Sequence, residues 1–424
     1  MTQVVIMAGG QGTRIRSISE LPKPLIPVAG VPVLEREILC LREQGFSDFV
    51  LTVCHQHVKI QDYFGDGSKL SVRINYFVEE VPLGTAGALF RMREILKGDF
   101  LLLNGDMLFD VDFNRMLAFH KEHGAVATIF AHPNSHPYDS GLLIIDQHNR
   151  VQEWLSKEDK RPTWYRNLVN GGLHILSSRV LDNYLQNNKL NCTRVDLDRD
   201  LLKPLSGMGQ LNAYRSPEYV HDMGTPERFA QAEKDIQSGL IKRKNLRQKQ
   251  KAIFLDRDGT INTYIPFLHK IEEFNLIEGV GKAISAINAS GYLAIVVTNQ
   301  PVIARGELTF EELDEMHKKM ETLLGNEGAY LDAIYVCPHH TDKGFAGEIA
   351  ELKCDCECRK PKPGMLLQAA KDWNIDLRES WLIGDSDQDI EAGKSAGCQS
   401  IKLDKENNLS DAIDNILKRN NYGN

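Results

Sequence analysis

Short apolar runs alternate along the chain with segments in which apolar residues recur every three or four positions. Continuous apolar runs of this length predict buried strands, and the three- and four-residue spacing predicts amphipathic helices. Their alternation is typical of an α/β fold. In the first half, strands are predicted at 3–8, 48–54, 100–106 and 125–131, and helices at 33–45 and 85–96.

A basic and polar segment interrupts this alternation near the middle of the chain. Residues 242–251 read KRKNLRQKQK, in which Leu246 is the only residue of a core-forming type. Such a composition favours a solvated linker over a packed element. A second alternation follows, with strands predicted at 252–256, 292–299 and 380–385. We therefore predict two α/β domains, residues 1–240 and 251–424, joined by a linker at 241–250.

Length, composition and charge agree with this division and exclude several classes of protein. A chain of 424 residues exceeds what one hydrophobic core usually supports. Its net charge of -8 argues against a general nucleic-acid binder. The amino-terminal residues lack the pattern of a signal peptide, and no apolar run approaches the roughly 18–20 residues that span a bilayer. We expect a cytoplasmic protein with small-molecule partners and neither nucleic-acid nor membrane partners; homo-oligomerisation stays open.

A glycine-rich loop, Gly9-Gly10-Gln11-Gly12-Thr13-Arg14, follows the first predicted strand. Glycines allow backbone N–H groups to approach a phosphate closely. Arg14 and the later Lys23 would add positive charge next to a triphosphate. The loop is neither a dinucleotide-binding fingerprint, which needs glycine where Arg14 stands, nor a P-loop, which ends in Gly-Lys-Ser/Thr.

Five motifs occur in a fixed order, and together they define a family resemblance. They are GGQGTR (9–14), KPLIPVAGVPVL (23–34), LGTAG (83–87), NGD (104–106) and DMGTP (222–226). The series resembles the sugar-1-phosphate nucleotidyltransferases, which implies a Rossmann-like, GT-A-like domain that joins a sugar 1-phosphate to a nucleotide. The implied residues are Arg14 and Lys23 for catalysis, Gly9, Gly10, Gly12, Thr13, Glu79 and Gly84 for the nucleotide, Asp106 and Asp222 for Mg²⁺, and Lys157, Asn170 and Gly171 for the sugar phosphate.

Two of these assignments have open alternatives. For Lys157, an exposed solvating lysine is the alternative. For base recognition, Glu79 and Glu80 precede the LGTAG motif. A carboxylate only accepts hydrogen bonds, and guanine presents two adjacent N–H donors, so an acid at this place favours GTP. The alternative is that either glutamate faces solvent.

A second series of motifs begins after the linker with Asp256-Arg257-Asp258-Gly259-Thr260. Thr298-Asn299, Arg359-Lys360 and Gly384-Asp385 follow it in that order. The series resembles the haloacid-dehalogenase-type (HAD) phosphatases, which implies a Rossmannoid domain. It further implies Asp256 as nucleophile, Asp258 as acid and base, Thr298 and Lys360 as phosphoryl-binding groups, and Asp256, Asp258 and Asp385 at Mg²⁺. Asp389 is interpreted as a helix N-terminal acid, with a place at the metal as the alternative.

Four of the eight cysteines are crowded into one segment of this second half. Cys337, His339, Cys356 and Cys358 form a Cys₃His set with the spacing of a structural Zn²⁺ site, and Cys354 leaves the register open by two residues. This arrangement resembles the histidinol-phosphate and heptose-bisphosphate branch of the HAD phosphatases. The resemblance implies sugar-phosphate contacts from Asn299, Arg305 and Arg359.

The two resemblances together imply a bifunctional enzyme of nucleotide-activated heptose synthesis. The second domain would remove the 7-phosphate of D-glycero-D-manno-heptose 1,7-bisphosphate, and the first would condense heptose 1-phosphate with GTP. Three alternatives stay open. They are another sugar or nucleotide (mannose 1-phosphate with GTP, or heptose with ATP), a histidinol-phosphate phosphatase fused to a nucleotidyltransferase, and one catalytically silent regulatory domain.

Overall fold

The computed structural model describes residues 2–10, 15, 19–187 and 194–421, and these form two compact units. The first unit comprises Met1–His132, Leu143–Leu155 and Asn170–Asn245. The second comprises Pro133–Leu142, Ser156–Val169 and Leu246–Asn424. The predicted two-domain α/β architecture is confirmed. The second unit also contains two segments from the first half of the chain. The predicted limits, which treat each domain as one continuous stretch of sequence, therefore assign these segments to the other domain.

Thirteen described strands and seven described α-helices lie between residues 2 and 245. The strands are β1 (Gln3–Met7), β2 (Pro27–Val28), β3 (Val31–Pro32), β4 (Asp48–Val53), β5 (Arg73–Val78), β6 (Asp99–Asn104), β7 (Met107–Asp110), β8 (Ala127–His132), β9 (Leu142–Ile145), β10 (Val151–Leu155), β11 (Val169–Ser177), β12 (Leu211–Arg215) and β13 (Tyr219–Asp222). The helices are α1 (Val33–Arg42), α2 (His57–Phe64), α3 (Gly87–Arg91), α4 (Phe113–His123), α5 (Arg179–Asn187), α6 (Pro226–Gln237) and α7 (Leu240–Arg243).

A nine-stranded sheet forms the centre of the first unit. Its main path runs β10-β9-β11-β6-β1-β4-β5, and β8 pairs with both β11 and β12. The central strands β6, β1 and β4 and the edge strand β5 are parallel. A central parallel strand is covered on both faces, which explains why the strand sequences are continuous apolar runs. The carboxyl ends of these strands therefore meet along one edge, where the candidate residues follow them.

The helix predicted at 85–96 is shorter in the structure, where α3 covers only five residues. The residues before Gly87 are not helical, because the N–H of Ala86 donates to the carbonyl of Val195 at 2.9 Å. Ala86 consequently has φ -131°, outside the helical range. A contact with a residue far along the chain thus overrides the local apolar spacing.

The second unit contains a five-stranded parallel sheet. Its strands are β14 (Ala252–Leu255), β15 (Leu293–Asn299), β16 (Ala333–Cys337), β17 (Trp381–Gly384) and β18 (Gln399–Lys402). Its helices are α8 (Val280–Ser290), α9 (Pro301–Ala304), α10 (Phe310–Asn326), α11 (Gly364–Asp372), α12 (Asp387–Ala396) and α13 (Leu409–Asn421). The strand order is β16-β15-β14-β17-β18, so the winding direction reverses beside β14. Ligands of such sheets bind where the order reverses, outside the carboxyl ends of the strands.

The segment predicted as a solvated linker, 241–250, is ordered and partly buried. Its first residues complete α7, and the side chain of Asn245 donates to the carboxylate of Asp110. Gln250 pairs through its backbone with Asn374 and Asp376, both at 2.9 Å. These bonds explain why a polar sequence is buried here: its polar groups find protein partners. Among the described residues, none of the helices has the length and apolar character that crossing a membrane requires.

Candidate active sites

A cleft of about 640 Å³ in the first unit lies at the carboxyl ends of β1, β4 and β6. Six of the predicted residues line it, namely Gly9, Gly10, Lys23, Glu79, Gly84 and Asp106. Gly12, Thr13 and Arg14 lie outside the described residues. The cleft therefore gathers phosphate-binding, acidic and basic candidates that are up to 97 positions apart in sequence.

The two acids predicted to bind Mg²⁺ occupy neighbouring positions of an antiparallel pair. Asp222 ends β13, whose register places it opposite Met107, and the N–H of Met223 donates to the carbonyl of Asp106 at 3.2 Å. Lys23 forms an ion pair with Asp106. Burial by itself would raise the pKa of Asp222, but the pair with Arg228 at 2.6 Å and the hydrogen bond from the N–H of Gly224 lower it.

Only one of the two glutamates considered for base recognition lines the cleft. Glu79 is half-buried, and burial raises the pKa of its carboxyl. The N–H of Leu83 donates to its Oε2 at 3.2 Å. Glu80 is exposed. Gly84, which also lines the cleft, has φ +82°. A Cβ at this position would be 2.4 Å from the carbonyl oxygen of Val195, so both backbone strain and lack of space exclude a side chain there.

The three residues predicted to contact the sugar phosphate lie in two different units. Asn170 and Gly171 are the second and third residues of β11, and Asn170 Oδ1 accepts from the N–H of Gly172 at 2.9 Å. A Cβ on Gly172 would be 3.4 Å from the Asn104 amide, and Asn104 lines the cleft. Lys157 is exposed in a segment of the second unit and is not among the cleft-lining residues. Its predicted role stays a prediction.

Sequence motifs did not point to three residues at this site. Cys54 follows β4 and lines the cleft, as does Arg194, which also borders an adjoining cavity of about 430 Å³ with Arg199. Arg228 neutralises Asp222. Arg228 stands two positions after the DMGTP motif, at the start of α6, and this position was the only sequence signal for it.

In the second unit, Asp256 follows β14 directly and is buried. The ammonium group of Lys360 lies 2.7 Å from its Oδ1 and 2.6 Å from Oδ1 of Asp389. Asp389 is at the third position of α12 and closes a capping box with Ser386. The interpretation of Asp389 as a helix N-terminal acid therefore describes the contacts of its Oδ2, since its Oδ1 binds the predicted phosphoryl-binding lysine.

Asp256, Asp385 and Asp389 present carboxylate oxygens that all lie within 4.8 Å of one another. Asp385 follows β17, so the reversal of strand order brings it next to Asp256. A Cβ on Gly259 would be 2.1 Å from Oδ2 of Asp385, so a glycine is needed at this position. Burial and the neighbouring Asp389 raise the pKa of Asp385. Clustered hard oxygen donors of this kind suit Mg²⁺.

The carboxylate of Asp258 belongs to a different group of contacts. Arg257 Nη2 donates to both of its oxygens at 2.9 Å, and the amides of Asn262 and Gln300 donate at 3.0 Å and 2.8 Å. Burial by itself would raise the pKa of Asp258, but Arg257 and these hydrogen bonds hold it below its ordinary value. The described carboxylate cluster therefore does not include Asp258, which was predicted as a third metal ligand.

The remaining predicted residues of this site surround Lys360. Thr298 is the last residue but one of β15 and is buried. Asn299 donates to the carbonyl of Lys360 and accepts from its N–H, both at 3.0 Å, so it holds the backbone that carries the lysine. Arg359 donates to the carbonyl of His339 at 3.0 Å.

Arg305 is held between two aromatic rings. Its guanidinium carbon is 3.8 Å from the ring centre of Phe267 and 4.2 Å from that of Phe345. Its Nη2 is 2.7 Å from Oε1 of Glu307. These contacts join three loops, and a sugar-phosphate contact from Arg305 stays a prediction.

Cys337, His339, Cys356 and Cys358 converge on one point. Four S···S and S···N separations within this group are between 3.3 and 3.7 Å. Tetrahedral Zn²⁺ with thiolates at about 2.3 Å places its ligands about 3.8 Å apart. Cys354 is exposed and lies outside the group. Of the two registers that the sequence leaves open, the structure therefore has the one that uses Cys358.

Both halves of the chain match families of known proteins. The profile of the nucleotidyl transferase family matches residues 3–239, more than half of the chain, and a HAD-hydrolase-like profile matches residues 357–418. The D-glycero-β-D-manno-heptose-1,7-bisphosphate 7-phosphatase of Pasteurella multocida is 46% identical over 156 residues, which are 37% of this chain and 82% of that protein.

Two solved structures resemble the first half. One, assigned as a glucose-1-phosphate thymidylyltransferase of Bacillus anthracis, covers 55% of this chain and 94% of its own at a TM-score of 0.50 and 19% identity, which supports the fold. HddC of Yersinia pseudotuberculosis, complexed with GMP-PN, covers 56% of this chain and 100% of its own at a TM-score of 0.47 and 24% identity. From the matches to both halves, the chain belongs to the nucleotidyl transferase family over residues 3–239 and, through its C-terminal part, to the HAD-type phosphatases that include the heptose-bisphosphate 7-phosphatases.

Proposed function

We propose that the chain carries out two successive steps of heptose activation: it removes the 7-phosphate of D-glycero-β-D-manno-heptose 1,7-bisphosphate, and it then joins heptose 1-phosphate to GMP from GTP. The observation that carries the proposal is the 46% identity to a 7-phosphatase of that substrate over most of its length. The order follows from the chemistry, because the first step yields a sugar 1-phosphate and members of the transferase family consume one.

The phosphatase step uses Asp256 as nucleophile. One of its carboxylate oxygens attacks the phosphorus of the 7-phosphate, the bond from phosphorus to the sugar oxygen breaks, and Asp258 gives that oxygen a proton. Water then attacks the phosphorus of the aspartyl-phosphate and gives a proton to Asp258, and the bond from phosphorus to the Asp256 oxygen breaks, which restores the carboxylate and releases inorganic phosphate. Lys360 and Thr298 neutralise and bind the phosphoryl group, and the 2.7 Å contact between Lys360 and Asp256 supports this role.

Asp256 and Asp385 are the carboxylates that we expect to hold Mg²⁺, and their clustering with Asp389 supports the assignment. When bound, the ion supplies positive charge that offsets the repulsion between the nucleophile and the anionic phosphate. The four-residue Cys/His group would hold a structural Zn²⁺. Because Cys358 directly precedes Arg359 and Lys360, a bound ion would fix the loop that presents them.

The transferase step takes place in the cleft of the first unit. A phosphate oxygen of heptose 1-phosphate attacks the α-phosphorus of GTP, and pyrophosphate leaves as its bond to that phosphorus breaks. Catalysis of this kind consists mostly of positioning and charge neutralisation. Lys23, together with Arg14 from the sequence, would neutralise the triphosphate, and Asp106 and Asp222 would hold Mg²⁺. The guanine preference is supported by Glu79, the glutamate that lines the cleft.

The partners in this proposal are small molecules, and the cytoplasm is the compartment that supplies GTP. The test is ³¹P NMR of the purified protein with heptose 1,7-bisphosphate, Mg²⁺ and each nucleoside triphosphate in turn. We expect inorganic phosphate in every reaction, and pyrophosphate with a sugar-nucleotide diphosphate signal only with GTP. Phosphate without nucleotide sugar would overturn the guanylyl transfer, and no phosphate at all would overturn the heptose substrate.

A further inference from the structure

Arg257 stands between the two aspartates of the phosphatase motif and has no part in the steps above. Its side chain is nevertheless fully buried, with 0% exposure, and it is the largest side chain of the described residues to be so. A buried guanidinium is costly unless it is paired and hydrogen-bonded. Its partners therefore indicate what it is for.

The guanidinium of Arg257 is directed at the carboxylate of Asp258. Its Nη2 donates to Oδ1 and Oδ2 of that carboxylate at 2.9 Å each, and its Nε donates to Oδ1 at 3.2 Å. Nη2 also donates to the amide oxygen of Gln300 at 3.1 Å. Both catalytic oxygens of Asp258 are thus held by one planar, permanently charged group.

Gln300 links this pair to the phosphoryl-binding side of the site. Its Nε2 donates to Oδ2 of Asp258 and to Oγ1 of Thr298, both at 2.8 Å, and only 2% of the residue is exposed. The amide has only one orientation that fits these partners, because its oxygen accepts from Arg257 and its nitrogen must then donate. The distance between the acid–base residue and the phosphoryl-binding threonine is therefore set by one amide group.

Two further side chains complete the surroundings. Asn262 donates to Oδ1 of Asp258 at 3.0 Å. On the far side of Arg257, Nη1 lies 3.4 Å from Nε2 of the buried His317, which burial and the charge of Arg257 keep neutral by lowering its pKa well below the ordinary value. A neutral imidazole accepts a hydrogen bond from Nη1 of Arg257, which leaves Nε and Nη2 to donate to Asp258.

We infer that Arg257 and Gln300 are positioning residues for the acid–base step, and that they hold the carboxyl group of Asp258 at a fixed place beside the phosphoryl site. The inference rests on the proposed role of Asp258. The two nitrogens of Arg257 that donate to Asp258 fix both of its oxygens, so the group that exchanges the proton with the leaving oxygen stays in one place. Gln300 fixes the distance from this carboxylate to Thr298.

The test compares phosphate monoesters whose leaving groups differ in their need for a proton. p-Nitrophenyl phosphate needs almost no acid catalysis, whereas a simple alkyl phosphate needs it fully. General acid–base catalysis contributes about 10²–10⁴-fold, so we expect Arg257→Met to lower kcat for the alkyl ester on the order of tenfold or more beyond any loss with the nitrophenyl ester. KM should change little, and Arg257→Lys should restore part of the difference.

Because Arg257 is fully buried, the same comparison is made on Gln300→Leu, which removes no charge. Its matched control is Asn288→Leu, since Asn288 is a buried amide of α8 that makes two hydrogen bonds at 3.0 Å to the backbone of Tyr330. Gln300→Leu should steepen the dependence of kcat on the leaving group, and Asn288→Leu should not.

Equal losses of kcat with both esters in the Arg257 and Gln300 variants would overturn the inference, because the loss of a merely structural residue lowers kcat for all substrates alike. Failure of the proposed function has a different signature. A wild-type enzyme that hydrolyses the simple esters and rejects heptose bisphosphate would refute the sugar assignment and leave the positioning roles intact.

Discussion

Lys360 shows how the phosphatase site accommodates several buried charges. Its ammonium group contacts the carboxylates of Asp256 and Asp389 and donates to the carbonyl of Val297 at 2.9 Å, so its three donors are all used. Burial would lower the pKa of Lys360, but the two carboxylates raise it, and the group stays charged. Each charge is therefore stable only as part of the group, and removing one partner would leave another uncompensated.

At the same scale, Glu79 offers a test of base recognition. Glu79→Gln replaces a group that only accepts hydrogen bonds by one that also donates, so it should weaken binding of the adjacent N–H donors of guanine. A charged hydrogen bond contributes about 1.5–3 kcal/mol, so kcat/KM for GTP should fall about tenfold or more. Pyrophosphate release with GTP, ATP and UTP measures the change.

The matched control for this prediction is Glu80→Gln, which makes the same chemical change at the exposed neighbouring residue. It should leave the rates with all three nucleotides unchanged. If both variants behave alike, or if Glu79→Gln leaves GTP turnover intact, Glu79 does not read the base.

At the scale of elements, Cys337, His339, Cys356 and Cys358 join the end of β16 to the loop that precedes Lys360. Cys358→Ala removes one of four converging ligands, so zinc content and phosphatase activity should both fall, because the loop that presents Arg359 and Lys360 loses its anchor. Cys354→Ala changes an exposed thiol outside the group and should alter neither. Zinc analysis and phosphate release on the two purified variants decide the matter. Loss of zinc from the Cys354 variant would contradict the register seen in the structure.

The strand β11 carries a buried histidine that links stability to pH. His174 is 1% exposed, and burial lowers its pKa to about 4. In the unfolded chain this histidine has a pKa near 6.5, so it binds a proton at pH values at which it stays neutral in the folded chain. Stability that is present at neutral pH is therefore lost as the pH falls below about 6.5. Between pH 7.5 and 5.5 the loss from this residue should be on the order of 1 kcal/mol.

Urea unfolding of the full chain at these two pH values measures this loss. His174→Leu should reduce the difference between the two midpoints. The exposed His148, changed to Gln, is the control and should leave that difference as it is. An unchanged difference in the Leu variant would show that His174 does not contribute to acid sensitivity.

At the scale of the whole molecule, the described residues that line the transferase cleft and those of the carboxylate cluster belong to different units. Every described cleft-lining residue lies in the first unit, and Asp256, Asp385 and Asp389 all lie in the second; Lys157, which does not line the cleft, is the one described transferase candidate in the second unit. Asp256→Asn should therefore abolish phosphate release and spare pyrophosphate release from heptose 1-phosphate and GTP. Asp222→Ala should do the reverse. Loss of both activities in either variant, measured on folded protein, would contradict independent chemistry in the two units.

The sequence by itself determined the α/β class, the presence of two catalytic domains and most of the chemical groups at each site. It did so because parallel strands are continuous apolar runs and because catalytic residues follow their carboxyl ends in short motifs. Asp106 after β6 and Asp256 after β14 are examples, and both could be located from the chain alone. In these cases, the strand and the residue that it positions are adjacent in sequence.

Only the tertiary structure decided between residues that are chemically alike. It selected Glu79 over Glu80 as the residue lining the cleft and Cys358 over Cys354 at the cysteine group, and it placed Asp389 against Lys360. It also assigned 133–142 and 156–169 to the second unit. The physical reason is common to all of them: contacts between residues far apart along the chain decide which of several equivalent groups is buried and paired, and local pattern carries no information about such contacts.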